Sequence, residues 1–202
     1  MSPRPHLYNP DPAGPKDRVL RDRALMTRVQ AGEPEAFEEL VHCYWAPLVR
    51  YLRRLVGDLD EAQDVVQEAF VRLWARRLDW EPSPTGTVQS YLYLLARRVA
   101  IDELRRRRTR KAWAQLASGS KLAPPPTPVQ LFDRARLAEA LERAIQALPE
   151  RRREVFILAN QHDLSYADIA EVMGISIKTV ANQMWAAVGE LRERLRKEEL
   201  AP

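Results

Sequence analysis

The residues best suited to chemistry lie in one stretch, residues 90–111, which reads SYLYLLARRVAIDELRRRRTRK. It opens with two tyrosines and ends in a block, residues 105–111, in which six of seven side chains are basic. Aromatic rings stack on unpaired bases and cations hold phosphates, so this composition suits a nucleic acid whose bases have left the stack. The competing interpretation is an amphipathic helix with a solvated charged end.

On an ideal helix this stretch carries two neighbouring stripes. The first is apolar and is predicted to face the core: Leu92, Leu95, Ala96 and Val99. The second combines a ring, two cations and a carboxylate and is free to meet a ligand: Tyr91, Arg98, Asp102 and Arg105. Ser90 is predicted to cap the helix with its hydroxyl.

The composition of the chain predicts an all-α protein. Its 202 residues include only 7 glycines, and long segments are rich in Ala, Leu, Arg and Glu without the short β-branched runs of strands. This length allows one large domain or two small ones. The net charge is only +4, but the arginines cluster at 105–108 and 151–153, which indicates a polyanionic partner.

Several function classes are disfavoured by the sequence. Cys43 is the single cysteine and is predicted to be a small buried hydrophobe, and the three histidines lack metal spacing. No phosphate-binding loop or nucleophile elbow is present. Four acids share one helix and are interpreted as a solvated face rather than a two-metal site: Asp60, Glu61, Asp64 and Glu68. We therefore expect no catalytic residue, metal or cofactor, and, without a signal peptide or membrane span, a cytoplasmic protein.

Proline-rich segments divide the chain into two predicted lobes. Residues 1–16 hold five prolines and are predicted to be a disordered leader. Residues 112–130 are predicted to be a flexible, partly extended linker that lets the lobes lie well apart. The first lobe is then 17–111 and the second 131–202.

Helical periodicity in the first lobe predicts helices over 17–31, 34–56 and 60–78 before the helix at 90–111. The first of these is expected to bury Val19, Leu20, Ala24 and Val29. The third is expected to bury Ala62, Val66, Ala69, Phe70 and Leu73. Its opposite face sets large apolar residues among polar ones, as a protein–protein hot spot does: Asp60, Asp64, Gln67, Val71 and Trp74. The loop 79–89 is predicted to wall a pocket for a flipped base.

The second lobe carries the pattern of a helix-turn-helix. Ser165 and Asp168 form a capping box, and Ala170, Gly174 and Val180 have the required spacing. The last helix is expected to bury Ile177, Val180, Met184, Val188 and Leu191. Its outer face is expected to show Lys178, Thr179 and Asn182, flanked by Gln183 and Trp185. Lys178 is the only cation from 165 to 190, so this segment carries little positive charge for binding DNA without help.

Three segments together resemble the bacterial sigma factors, in the same order. They are DEAQDVVQEAFVRLW, SYLYLLARRVAIDELRRRR and LPERRREVFILANQHDLSYADIAEVMGISIKTVANQ. Without further domains, the chain is similar to the two-domain group called extracytoplasmic-function sigma factors. The resemblance covers about residues 20–111 and 131–196.

The resemblance implies a dissociable RNA polymerase subunit that directs promoter recognition, melting and transcription initiation. The first lobe would bind the clamp helices of the polymerase core through Asp60, Asp64, Gln67, Val71 and Trp74. It would hold the melted non-template strand at the minus-ten element through Tyr91, Arg98, Asp102, Arg105, Arg106, Arg107 and Arg108. The second lobe would bind the flap and the double-stranded minus-thirty-five element through Lys178, Thr179, Asn182, Gln183, Arg151 and Arg152.

Two departures from the family pattern stand out, and one alternative remains. The family often has Asn where this chain has Arg98, and its recognition helix usually carries more cations. Family members are commonly restrained by an anti-sigma protein, which we also expect here. The alternative is a stand-alone helix-turn-helix transcriptional regulator. It would account for the second lobe only, and it would usually require a dimer and a palindromic site.

Overall fold

The computed structural model describes residues 15–81, 86–117 and 133–199, and all regular structure in these ranges is helical. This confirms the all-α fold class. Most of the predicted leader and linker lies outside the described residues. The helices are α1 (Pro15–Gln30), α2 (Pro34–Val56), α3 (Leu59–Ala75), α4 (Val88–Ala117), α5 (Asp133–Gln146), α6 (Glu150–Gln161), α7 (Tyr166–Met173) and α8 (Ile177–Glu199).

The ends of α2 and α3 follow from local capping chemistry. Gly57 ends α2 with φ +90°, and its N–H donates to the Arg53 carbonyl oxygen at 2.9 Å. The Asp58 side chain then accepts a hydrogen bond from the Glu61 N–H at 3.0 Å, which starts α3. The predicted end of α3 at 78 is wrong, because the helix stops at Ala75 and a 3-10 turn, Arg77–Asp79, follows. Its predicted core face is confirmed as buried.

The predicted buried face of α1 is largely wrong. Leu20 is 66% exposed and Ala24 is exposed, whereas Val29 is fully buried as expected. The face that is buried instead holds Asp22, Leu25, Met26 and Val29. Apolar periodicity misses this face because Asp22 belongs to it: its carboxylate accepts a buried hydrogen bond from the Tyr44 hydroxyl of α2.

The central helix α4 starts earlier and ends later than predicted. Thr87, not Ser90, is its cap: the Thr87 hydroxyl accepts from the Ser90 N–H at 3.0 Å, and the Ser90 hydroxyl accepts from the Thr87 N–H at 2.9 Å. The predicted apolar stripe is confirmed as buried. The helix continues to Ala117, into the segment predicted to be linker from residue 112, because nothing from 112 to 117 breaks a helix.

The two lobes are in contact, so the prediction that they lie well apart is wrong. The buried apolar residues form one cluster that draws on both lobes. Helix α4 of the first lobe packs against α7 of the second, while α6, α7 and α8 pack on each other. Within the described part of the chain, no helix is long and apolar enough to cross a bilayer.

Candidate functional site

The outward face of α3 is exposed as predicted. Asp60, Asp64, Gln67 and Val71 are all exposed, and Val71 is 56% accessible. An apolar side chain at that exposure, ringed by polar ones, is typical of a protein contact surface.

The Trp74 side chain is half-buried, and contacts with neighbouring side chains fix its position. Its ring lies 5.0 Å from the ring of Phe37 on α2, and the Arg77 guanidinium lies 4.7 Å from its centroid. The Arg77 side chain also donates to the Trp74 carbonyl oxygen at 2.9 Å. Beside it, Phe37, Val41 and Trp45 of α2 line an open apolar cleft. The sequence analysis did not predict this cleft, because helical spacing alone does not distinguish a core position from a groove position.

The second stripe of α4 forms an open, mixed surface. Tyr91 is half-buried, and burial and the nearby Asp79 raise the pKa of its hydroxyl, which therefore stays protonated. Arg98 is exposed about two helical turns along. Asp102 and Arg105 form an exposed pair with 3.9 Å between charged atoms. A ring with one accessible side beside cations can stack on a base and hold its phosphate.

The four arginines at 105–108 are not equivalent. The side chains of Arg105 and Arg106 are 76% and 71% exposed. Arg107 instead reaches across to α3, where it lies 2.5 Å from the buried Glu61 carboxylate. The side chain of Arg108 lies outside the described residues. Arg107 therefore joins α4 to α3 through an ion pair, while the charges of Arg105 and Arg106 are exposed to solvent.

The helix-turn-helix is confirmed in α7 and α8. Ser165 and Asp168 form the capping box, and Gly174 ends α7 in the left-handed region with φ +65°. The Ser176 hydroxyl accepts from the Thr179 N–H at 3.0 Å and caps α8, a role the sequence reading missed. Val180 is fully buried.

The outer face of α8 is accessible, and two residues of its predicted inner face are not buried: the exposed Ile177 and the half-buried Val188. Lys178 and Asn182 are exposed, Thr179 and Gln183 are half-buried, and Trp185 is 83% exposed: these are the side chains that a groove would meet. Ile177 was predicted to be buried but is 52% exposed, because as the first residue of α8 it lies beyond the neighbouring helices. Ala187, which was not predicted, is fully buried instead.

The two arginines predicted to assist α8 differ in their surroundings. Arg151 is exposed. Arg152 is half-buried and donates to the Glu190 carboxylate at 2.6 Å. Glu190 also accepts from Arg194 at 3.0 Å, and these hydrogen bonds lower the pKa of Glu190. Arg152 is thus engaged in joining α6 to α8.

A polar surface between the lobes was not foreseen at all. The Glu154 carboxylate of α6 accepts from the Tyr51 hydroxyl at 2.6 Å and from Arg97 at 2.7 and 3.2 Å. The Tyr93 hydroxyl and His162 Nδ1 lie 2.8 Å apart. Burial, helped by the charge of Glu154, raises the pKa of Tyr51 well above its ordinary value. Burial, helped by two nearby arginines, lowers the pKa of His162 to about 3.

Further hydrogen bonds extend this surface to both ends. Thr87 donates to Asp168 at 2.9 Å, and Ser90 donates to Glu171 at 3.0 Å. The Gln89 side chain donates to the backbone carbonyl of His162 at 2.8 Å. At the other end, Arg54 donates to both oxygens of Glu142 at 2.5 and 3.0 Å. These partners are far apart in sequence and belong to no periodic pattern, so the sequence offered no signal for them.

Among the described residues, no group of His, Cys, Asp or Glu side chains is arranged to hold a metal ion. The site consists of surfaces: an exposed face on α3, a mixed stripe on α4 and the outer face of α8. This combination defines a helical protein that meets both another protein and a nucleic acid.

Comparisons with known proteins agree with this class. The family model described as Sigma-70 region 2 matches residues 40–110, and the one described as Sigma-70, region 4 matches residues 138–191. The ECF RNA polymerase sigma-E factor of Escherichia coli K12 is 30% identical over 176 residues, which cover 83% of this chain and 91% of the relative. The ECF RNA polymerase sigma factor SigE of Mycolicibacterium smegmatis is 28% identical over 169 residues, or 83% of this chain and 64% of the relative.

A solved structure of CnrH in complex with the cytosolic domain of CnrY has the same fold. Its TM-score is 0.63 with 23% identity, over 88% of this chain and 98% of that one. A second, the sigma factor RpoE in complex with the anti-sigma factor NepR from Bartonella quintana, has a TM-score of 0.59 with 23% identity, over 79% and 96%. The chain belongs to the extracytoplasmic-function sigma factors, which confirms the resemblance found in the sequence.

Proposed function

We propose that this sigma factor divides promoter recognition between its two lobes. The first, residues 17–111, binds the polymerase core and holds the melted non-template strand at the minus-ten element. The second, residues 131–202, reads the double-stranded minus-thirty-five element and contacts the flap. The observation that carries this division is that the region 2 and region 4 matches fall on the two lobes separately, each with its own exposed polar face. The protein acts in the cytoplasm and has no catalysis of its own.

The core-binding face is the outer side of α3. Val71 supplies the apolar anchor, and Asp60, Asp64 and Gln67 supply the polar rim that meets the clamp helices. Trp74 contributes an edge that is already fixed against Phe37, so little side-chain entropy is lost when a partner covers it.

The strand-holding face is the mixed stripe of α4. Tyr91 stacks on an unpaired base, Arg98 and Asp102 line the position beside it, and Arg105 and Arg106 hold phosphates. Stacking is worth about 1–3 kcal/mol per base, which offsets part of the pairing lost on melting.

The outer face of α8 enters the major groove. Asn182 and Gln183 are suited to adenine and Lys178 to guanine. Of the three cations predicted for this face, Arg152 is engaged with Glu190, which leaves Lys178 and Arg151 to meet the DNA. This supports weak binding of the second lobe alone, with the polymerase holding it in place.

The sigma-factor relatives with solved structures also suggest a regulator. The RpoE structure contains the anti-sigma factor NepR, and the CnrH structure contains the cytosolic domain of CnrY. We extend this to the present chain: an anti-sigma protein binds it and withholds it from the polymerase.

Two substitutions separate the proposed roles of the first lobe. Val71→Asp should abolish binding to purified core polymerase at unchanged melting temperature, because the side chain is exposed and its loss leaves no cavity. Tyr91→Ala should preserve core binding and reduce open-complex formation, measured by permanganate reactivity on promoters found by start-site mapping. Val71 is a cleaner probe than Trp74, whose removal would also disturb α2. Equal loss of both steps in both variants would contradict the division, and a chain that bound palindromic DNA as a dimer without polymerase would favour the helix-turn-helix regulator.

A further inference from the structure

An open apolar cleft runs along α2, and no other described part of the chain covers it. Its floor is formed by Phe37, Val41 and Trp45, which recur every four residues and are all half-buried. The cleft has a volume of about 620 Å³, and the side chains of Glu38 and His42 are exposed at its rim. A row of apolar side chains that stays open to water favours a segment that covers it.

Aromatic rings give this cleft rigid walls. The centroid of the Phe37 ring lies 5.0 Å from that of Trp74 and 6.1 Å from that of Phe70. The Trp45 ring stacks on Phe70, with 6.4 Å between centroids and 14° between the planes. Grooves lined by aromatic rings bind proline-rich peptides, because a chain that its prolines already hold extended loses little entropy on docking.

The chain itself holds a segment of this chemistry. Residues 1–14, which precede α1, read MSPRPHLYNPDPAG and include four prolines. Leu7 and Tyr8 form an apolar pair at the centre of this leader, with prolines on both sides. Arg4 adds a positive charge that complements the exposed Glu38 at the rim of the cleft.

The leader is long enough to reach the cleft. Helices α1 and α2 are joined by three residues and run antiparallel, since Asp22 of α1 accepts a hydrogen bond from Tyr44 of α2. Pro15 starts α1 seven residues before Asp22, so it lies about seven residues beyond Tyr44 and roughly 15 Å along α2 from the level of Val41. The seven steps from Pro15 back to Tyr8 span about 22 Å at ~3.1 Å per residue, which covers this distance and about 10 Å around the helix.

We propose that the proline-rich leader, residues 1–14, docks in the aromatic cleft of α2 with Leu7 and Tyr8 packed against its rings. Attachment to α1 raises the local concentration of the leader to about the millimolar range, so even a weak contact is occupied. Because Phe37 contacts Trp74, the docked leader borders the outer face of α3 and enlarges the surface that the first lobe presents to a partner.

Disulfide trapping in the free chain tests where the leader lies. In a Cys43→Ala background, His6→Cys is paired either with His42→Cys at the rim of the cleft or with Arg53→Cys, and the yields under mild oxidation are compared. Both partner positions are exposed and lie on one face of α2, three turns apart, and position 53 is closer to the level of Pro15. A leader that samples all directions therefore reacts at least as fast at 53. A docked leader should react roughly tenfold faster at 42, which corresponds to about 1.4 kcal/mol of docking free energy.

The control removes the apolar pair and leaves the described helices unchanged. Leu7→Ala combined with Tyr8→Ala should make the yields at 42 and 53 equal. Equal yields with the unaltered leader would overturn the docking, and so would a preference for 42 that survives the double substitution. Disulfides that form only between chains and increase with protein concentration would also overturn it, because the cleft would then hold a second copy. Polymerase takes no part in the measurement, so its outcome is independent of core binding.

Discussion

Acidification should open the contact between the lobes through His162. This ring is buried against Tyr51 and Tyr93, and the charges of Arg50 and Arg54 add to burial in lowering its pKa to about 3. Its Nε2 atom is buried without a hydrogen-bond partner among the described residues, so a protonated ring would bury an N–H group with no acceptor.

The direction and size of this pH effect follow from the linkage between proton binding by His162 and opening of the lobes. In the closed, folded chain the pKa of His162 lies below the ordinary value of about 6.5. Between pH 6.5 and 3 the open or unfolded chain therefore binds a proton on His162 that the closed chain does not bind. The contribution of His162 to stability is therefore complete above about pH 6.5 and is lost as the pH falls toward 3. From pH 7 to pH 5 the loss is about 2 kcal/mol, or roughly 30-fold in the opening equilibrium.

The assay compares the pH dependence of lobe separation in the wild type and in His162→Gln, followed by energy transfer between dyes on Glu35→Cys and Arg192→Cys in a Cys43→Ala background. The two proteins share every other ionisable group, so the difference between the two curves isolates the ring. His42→Gln is the matched control, because His42 is exposed on α2. Curves of wild type and His162→Gln that coincide between pH 7 and 5 would refute the reasoning.

Two further ion pairs are tested by substitution, with Arg105→Ala as the control for the second. Glu154→Gln leaves Arg97 without its buried partner and should open the lobes at a cost on the order of 3 kcal/mol to the closed state, seen as reduced energy transfer at unchanged helix content by circular dichroism. Arg107→Ala leaves the buried Glu61 of α3 unpaired and should lower the free energy of unfolding by about 3 kcal/mol. Arg105→Ala should leave the free energy of unfolding unchanged and weaken only the binding of single-stranded DNA. Denaturant titrations that rank the two arginines in the opposite order would contradict these assignments.

The sequence predicted what depends on local periodicity and capping. The buried faces of α3 and α4, the capping box at Ser165 and the left-handed Gly174 all follow from spacing within one helix. The wrongly predicted buried faces share one physical cause, because they depend on partners far away in the chain. The apolar pattern could not show that Asp22 turns inward toward Tyr44 or that Ile177 lies past the end of the core.

The same limit explains why the lobes were expected to lie apart. A proline-rich segment indicates only that a helix is broken, not where the next element packs. The side chains that join the lobes look like ordinary surface residues in sequence: a carboxylate at 154, an arginine at 97, a tyrosine at 51. Their burial is visible only once α2, α4 and α6 are brought together.

The length of α4 affects how far apart the two lobes of one chain can lie. At ~1.5 Å per residue its 30 residues span about 45 Å. The 15 residues 118–132 can reach at most ~50 Å when extended. Together these lengths cover the distance between the minus-ten and minus-thirty-five elements, which is about 25 base pairs by their names and about 85 Å at ~3.4 Å per base pair. Residues 112–117 span about 9 Å as helix, whereas the same six residues would span about 20 Å if they were extended, as predicted for a linker. The continuation of α4 past residue 111 therefore makes the connection between the lobes shorter but stiffer, which reduces the number of orientations open to the second lobe.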